Sequence, residues 1–170
     1  MNIAIVGATG NVGRKTLEVL EKKDLSIGNL YLIASSKSAG KKISFKGKDY
    51  EIFDLESFDF SKVKIAFFAA GGKISEKFAE KAAKHCLVID NSSFYRMDPD
   101  VPLIVPQVNS SHLNQIKKNI IANPNCSTAQ LVIALKPLHD LFVIKRIVVS
   151  TYQSVSGGGK APMDELIEQT

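Results

Sequence analysis

The stretch Gly7-Ala8-Thr9-Gly10-Asn11-Val12-Gly13 constrains this chain more than any other. It follows a short apolar run, Asn2 to Val6, and precedes a charged segment in which Val12, Thr16, Val19 and Leu20 recur at helical spacing. Strand, tight turn and helix in that order predict an α/β unit whose helix N-terminus presents free backbone N–H groups. Glycines at such a turn let a pyrophosphate approach the main chain. The spacing is GxxGxxG rather than GxGxxG, so a plain strand-to-helix turn is the alternative reading.

The rest of the chain repeats the alternation. Leu30 to Ala34 reads as a second strand, followed by polar Ser35 to Gly40. Alternating stretches around Ile43 and Phe45 and around Tyr50 and Ile52, joined by Lys46-Gly47-Lys48, predict a hairpin. Ile65 to Ala70 suits a strand buried on both faces, with a helix over Ile74 to His85 and a strand over Leu87 to Asp90 after it. Further on, the pattern predicts a helix near Ser111 to Lys117, a strand at Ile120 to Ala122 and a helix from Cys126 to Leu138. A long β-branched strand is expected over Ile144 to Tyr152, and Met163 to Thr170 has the composition of a helix without a cap or closing strand. The fold class expected is α/β, Rossmann-like and doubly wound, with a mainly parallel sheet.

A hydrophobic share of 45% against 23% charged residues is that of a globular protein and argues against disorder. No apolar run approaches the roughly 20 residues of a membrane helix. Met1 to Gly7 leads into the glycine turn rather than a signal-peptide cleavage site, so no membrane contact and a cytoplasmic location are expected. The net charge of +5 comes from scattered lysines such as Lys22, Lys23, Lys117 and Lys118, without an aromatic-interleaved basic stripe. A solvated surface explains it better than nucleic acid does. Cys86 and Cys126 match no zinc spacing, so neither a metal site nor a disulfide framework is expected.

The end of the second strand bears on which nicotinamide cofactor fits. NAD sites usually carry an Asp or Glu there for the ribose hydroxyls. Here stand Ser35, Ser36, Lys37 and Ser38, whose hydroxyls and ammonium suit a 2′-phosphate that a carboxylate would repel. NADP is therefore expected, with a solvated loop as the plainer reading. Further along, Asn125 precedes the apolar run Leu131 to Leu135 and reads as an N-cap, which puts Cys126 in the first helical turn. Free N–H groups and the helix dipole there favour a thiolate and can stabilise an oxyanion. From position alone, a small structural cysteine is the alternative. Cys86, before the apolar strand Leu87 to Ile89, reads as buried.

Seven segments together resemble aspartate-semialdehyde dehydrogenase, in that family's order: GATGNVG at Gly7 to Gly13, SSKSAG at Ser35 to Gly40, FFAAGG at Phe67 to Gly72, VIDNSSFYRMD at Val88 to Asp98, VPLIVPQVN at Val101 to Asn109, ANPNCST at Ala122 to Thr128, and STYQSVSGGGKAPMDEL at Ser150 to Leu166. The resemblance implies NADPH-dependent reduction of L-aspartyl-4-phosphate to aspartate semialdehyde, on the route to lysine, methionine and threonine. Cys126 matches the nucleophile that attacks the acyl phosphate and carries the thioester. Arg96 matches the phosphate-binding arginine, a task suited to a guanidinium fork; read without the family, it is an arginine able to pair with Asp98. Gln153 matches the glutamine that orients substrate, and Asn125 an asparagine that helps bind it. Thr9, Gly10, Asn11 and Val12 match the pyrophosphate turn, Lys37 and Ser38 the 2′-phosphate contacts, and Ser156 and Gly157 a second cofactor contact.

Three positions depart from the family pattern. Ala69 stands where serine is common, Lys37 where arginine is frequent, and Gln107 where glutamate is usual. The resemblance also implies an NADP-binding domain over residues 1–125 and the beginning of an α+β catalytic and dimerisation domain over 126–170. The family's acid-base histidine lies in a second half that also forms the homodimer interface. His85, His112 and His139 read as capping or surface residues, so this chain alone is expected to be inactive. Other readings are N-acetyl-glutamyl-phosphate reductase, whose cysteine motif has a different neighbourhood, and a non-catalytic NADP-binding module.

Overall fold

A computed structural model describes residues 1–170 and every side chain except that of Lys160. Its centre is a seven-stranded sheet in the order β3-β4-β2-β1-β5-β6-β7. The strands are β1 (Ile3–Val6), β2 (Leu30–Ala34), β3 (Lys42–Phe45), β4 (Lys48–Asp54), β5 (Ile65–Phe68), β6 (Leu87–Asp90) and β7 (Ile120–Ala122). All neighbours pair in parallel except β3 with β4. That exception is the expected hairpin. Lys46 and Gly47 both take positive φ, 48° and 73°, the backbone that a tight two-residue turn between twisted strands requires.

Alternation along each strand sends side chains to two separate cores. On one face Ala4, Val6, Ala66, Phe68, Val88 and Ile120 pack against Phe78, Ala79 and Ala82 of helix α2 (Gly72–Ala83). On the other, Ile3, Ile5, Leu32 and Ile52 pack against Leu17 and Leu20 of helix α1 (Asn11–Glu21). Helices on both faces of a mainly parallel sheet make this the doubly wound, Rossmann-like architecture.

Several elements differ from the sequence expectation. The run from Ile65 forms a strand only to Phe68, and Ile65 and Phe67 are half-buried rather than buried. Phe67 faces an apolar groove of about 380 Å³, lined also by Val12, Val19 and Leu20 of α1 and by Ile89 of β6. No helix spans Ser111 to Lys117. A one-turn helix, α3 (Pro106–Asn109), begins at proline, and a 3-10 segment, Ser110–Gln115, follows it. The Asn109 side chain bonds back to the Val105 N–H at 2.9 Å, so the turn closes on itself instead of propagating. Helix α4 (Cys126–Phe142) runs past Leu138 with Pro137 inside it. Helix α5 (Lys160–Gln169) starts three residues earlier than its composition suggested.

The largest difference is the stretch from Ile144 to Tyr152, which forms no strand. Its residues have β propensity, but a strand needs a ladder, and no described strand lies beside it. Val148 is 80% exposed there. Among the described residues, no helix is long and apolar enough to cross a membrane.

Candidate functional site

The parallel strands share one C-terminal edge, and the chain reverses its winding between β1 and β5. Ligand crevices of open α/β sheets lie at that reversal. The loop after β1 and the loop after β5 meet there so closely that a Cβ on Gly7 would sit 2.6 Å from the Ala69 carbonyl oxygen. Gly13 is fixed just as tightly, since its Cβ would fall 2.1 Å from the Gly7 oxygen. Gly10 is different: it is exposed and caps α1 without a side-chain bond. No acidic residue occupies the first turn of α1. Thr9, Gly10, Asn11 and Val12 therefore form a rim without a competing carboxylate; the Gly10 N–H is taken by the Gly7 carbonyl at 3.0 Å, which leaves the donors at the helix start to Asn11 and Val12. Gly7 and Ala8 donate to the Ile33 oxygen at 2.8 and 3.1 Å, tying the rim to the end of β2.

Beyond β2, the Ser35 carbonyl accepts from the Ser38 N–H at 2.9 Å, and the resulting turn carries exposed Lys37 and half-buried Ser38. These two residues lie at the same sheet edge as the glycine turn.

A second cluster forms after β6 and β7. Asn125 caps α4: its Oδ1 accepts from the Ser127 N–H at 3.0 Å and the Ser127 hydroxyl at 2.6 Å. Cys126 is the first residue of the helix, exposed, with Sγ 3.8 Å from Asn125 Oδ1. The Ser127 N–H is spent on the cap, so the first-turn donors left open beside the thiol are those of Cys126 and Thr128. Gln153 Nε2 lies 3.5 Å from the Ser127 hydroxyl, which brings it to the same turn. Cys86 contrasts with Cys126: it is buried, and desolvation pushes its thiol up to about 11.

Arg96 makes no pair with Asp98, whose carboxylate is taken by Lys118 at 2.9 Å. Instead its Nε donates to the Asn123 carbonyl at 2.9 Å and its Nη2 to the Asn91 carbonyl at 3.2 Å. The guanidinium is thus held at the ends of β6 and β7, on the short loop that leads to Asn125 and Cys126. Asn91 and Asn123 were not singled out from sequence, and their side chains also bridge, Nδ2 to Oδ1, at 2.6 Å. A usable signal was the ionisable Asp90 closing an otherwise apolar strand, with an asparagine directly after it.

Ser156 and Gly157 sit in a 3-10 turn, Val155–Gly158, strung between the two clusters. Gln153 anchors one side at Ser127, and Met163 of α5 meets Asn11 Nδ2 at 3.5 Å on the other. The three histidines are all exposed, and His112 Nδ1 lies 3.2 Å from Asn109 Nδ2. Among the described residues, no group of three or more His, Cys, Asp or Glu is arranged to hold a metal ion.

Residues 2–116 match the family model "Semialdehyde dehydrogenase, NAD binding domain", and residues 135–170 match "Semialdehyde dehydrogenase, dimerisation domain". The chain belongs to the semialdehyde dehydrogenase family. Among curated relatives, the aspartate-semialdehyde dehydrogenase of Rickettsia bellii is 53% identical over 99% of this chain and 51% of its own length. That of Aquifex aeolicus is 53% identical over 99% of this chain and 50% of its own. The chain spans about half the length of the curated relatives it matches. A crystal structure of aspartate semialdehyde dehydrogenase II from Vibrio cholerae, complexed with ASA, superposes with a TM-score of 0.95 at 51% identity, covering 99% of this chain and 51% of that one. The Candida albicans enzyme, solved with NADP, gives a TM-score of 0.69 at 31% identity over 84% of this chain and 48% of that one.

Proposed function

We propose that this chain forms the first half of an NADP-dependent aspartate-semialdehyde dehydrogenase. The observation that carries the reading is the joining of Cys126, Asn125, Gln153 and Arg96 around the start of α4, at the sheet edge that also bears the glycine turn. Residues 1–125 serve as the cofactor domain, and 126–170 begin the catalytic and dimerisation domain of a homodimer.

The residues at the switch point fit a dinucleotide. The Thr9 to Val12 turn would cradle the pyrophosphate, with Asn11 and Val12 at the helix start as main-chain donors and Gly10 letting it approach the backbone; Lys37 and Ser38 would meet the 2′-phosphate, and Ser156 and Gly157 would approach from the strap between the clusters. A relative solved with NADP supports that cofactor. NADPH bound there supplies the hydride that converts a thioester to an aldehyde.

The chain's own residues perform the acyl transfer. Arg96, with two donors spent on carbonyls, turns its remaining N–H groups to the phosphate of L-aspartyl-4-phosphate. Cys126 Sγ attacks the acyl carbon; the C–S bond forms as the bond to phosphate oxygen breaks, and phosphate leaves with the electron pair. N–H groups of Cys126 and Thr128 steady the transient oxyanion, while Gln153 and Asn125 orient the substrate. Proton transfer requires a histidine outside residues 1–170, so this chain alone has little or no turnover.

The test uses the full-length protein that begins with these residues. With aspartate semialdehyde, phosphate and NADP it should form NADPH, and it should discriminate against the N-acetyl-glutamyl analogue. On residues 1–170, Cys126 should alkylate on the order of 100-fold faster than Cys86, because the thiolate is the reactive form and Cys86 is buried. Equal rates, or substantial turnover by residues 1–170, would refute the assignment of roles.

A further inference from the structure

Asp90 ends β6 with no exposed surface, and its carboxylate is satisfied by neutral donors alone. The Ser75 hydroxyl donates at 2.6 Å, the Ser92 N–H at 3.1 Å and the Ser92 hydroxyl at 2.7 Å. Among the described residues, no Lys, Arg or His forms an ion pair with it. A buried carboxylate without a cation is a costly way to close a strand, since a packed apolar side chain would serve stability as well.

What the carboxylate holds is the loop that carries Arg96. Ser92, fixed by two bonds to Asp90, accepts the Phe94 N–H on its own hydroxyl at 3.1 Å, which turns the chain back toward the strand end. Arg96 then returns its guanidinium to the carbonyl of Asn91, the residue after Asp90. Its second anchor, Asn123, donates its N–H to the Asp90 carbonyl at 2.8 Å. Both supports of the guanidinium therefore start at Asp90 or at its neighbour.

We propose that Asp90 is a positioning residue for Arg96, acting through the Ser92 turn to aim the guanidinium at the phosphate of the substrate. It touches no substrate itself. The inference rests on the reading of Arg96 given above, and the effect of its loss should fall on phosphate recognition rather than on the thiol or the cofactor.

The experiment follows semialdehyde oxidation by the full-length enzyme, with separate KM values for phosphate and semialdehyde, NADP affinity and the alkylation rate of Cys126. Asp90→Asn should raise the phosphate KM about ten-fold, the size of losing a hydrogen bond to a charged group, and Ser92→Ala about three-fold. NADP affinity and Cys126 alkylation should stay within about two-fold. In an Arg96→Ala background, Asp90→Asn should add less than about two-fold, because the group it positions is gone. If Asp90→Asn does not fold, Ser92→Ala and its cycle with Arg96→Ala decide. An unchanged phosphate KM in the folded variants, or an equal effect with and without Arg96, overturns the proposal. An Arg96→Ala enzyme with normal phosphate KM would instead overturn the role of Arg96.

Discussion

Up to Pro124 the strands send alternate apolar side chains such as Ile5, Leu32, Phe68, Val88 and Ile120 into buried cores, while past Pro124 no described residue is buried. Both stretches have apolar content of the kind that builds cores. In the first, each strand finds a hydrogen-bonded neighbour, and α1 and α2 each pack on a sheet face. In the second, Leu141, Phe142, Val148 and Ile167 stand exposed, and Ile144 to Tyr152 lies extended without a ladder. The contrast separates the two stretches: the first packs on its own contacts, whereas the second, which carries Cys126 and Gln153, leaves its apolar side chains exposed.

The sharpest way to break that division is Cys126→Ser in the full-length enzyme. Turnover should fall by at least about 10³, because a hydroxyl ionises far less readily than a thiol and is a much weaker nucleophile toward the acyl carbon. Thermal stability should not change, since the thiol is exposed and its contact is the long one to Asn125. A large fall in melting temperature would show that the start of α4 supports the fold after all.

Next in size is a paired comparison of core substitutions in residues 1–170. Ile5→Ala empties a fully buried site between β2 and β5 and should cost about 2–5 kcal/mol in urea unfolding. Leu141→Ala removes a side chain that is 75% exposed and should cost less than about 0.5 kcal/mol. Equal losses would mean that the second stretch packs in solution more than its exposure implies.

The same contrast explains what could be read from the sequence. Strands such as Leu30–Ala34 and Leu87–Asp90 were legible because their partners lie within the chain, so pattern and ladder agree. Ile144 to Tyr152 carried an equally strong β pattern, yet pattern reports only a preference, and hydrogen bonds to a neighbour decide the outcome. Near Ser111, the proline start of α3 and the Asn109 bond to Val105 overrode a weak helical composition. At the site, residues acting through side-chain type were visible, among them Asn125 as a cap and Cys126 behind it. Asn91 and Asn123 hold Arg96 through their carbonyls, which any residue possesses, so the strand end marked by Asp90, rather than their own side chains, was the signal for them.

Lys37→Glu probes the position proposed to meet the 2′-phosphate, on the exposed rim of the well-packed stretch. The affinity ratio of NADPH to NADH should fall about ten-fold, on the order of one charge-assisted hydrogen bond to the 2′-phosphate. Stability should not move, because Lys37 is exposed. An unchanged ratio would leave the turn after β2 as a solvated loop and place cofactor choice elsewhere.

The smallest effect expected comes from ion pairs, one in each stretch. Asp98 and Lys118 meet at 2.9 Å across the loop that precedes β7, whereas Lys136 and Asp140 are one turn apart in α4. The bond from Lys118, then that from the Asp100 N–H, holds the Asp98 carboxyl below its ordinary value, and Asp98 raises Lys118 in turn. A depressed carboxyl contributes stability that is present above its unfolded value of about 4 and fades as pH falls through the folded one. The raised lysine contributes below its unfolded value of about 10.4 and fades as pH rises through the folded one. The pair is therefore at full strength between those limits. Asp98→Asn should lower the melting temperature of residues 1–170 by about 2 °C at neutral pH, and the difference from wild type should shrink as the solution is acidified below pH 4. Asp140→Asn should leave it unchanged at any pH, since α4 buries nothing whose loss would be shared with the sheet. A matching drop from Asp140→Asn would show that α4 melts together with the sheet, and the division drawn at Pro124 would have to be redrawn.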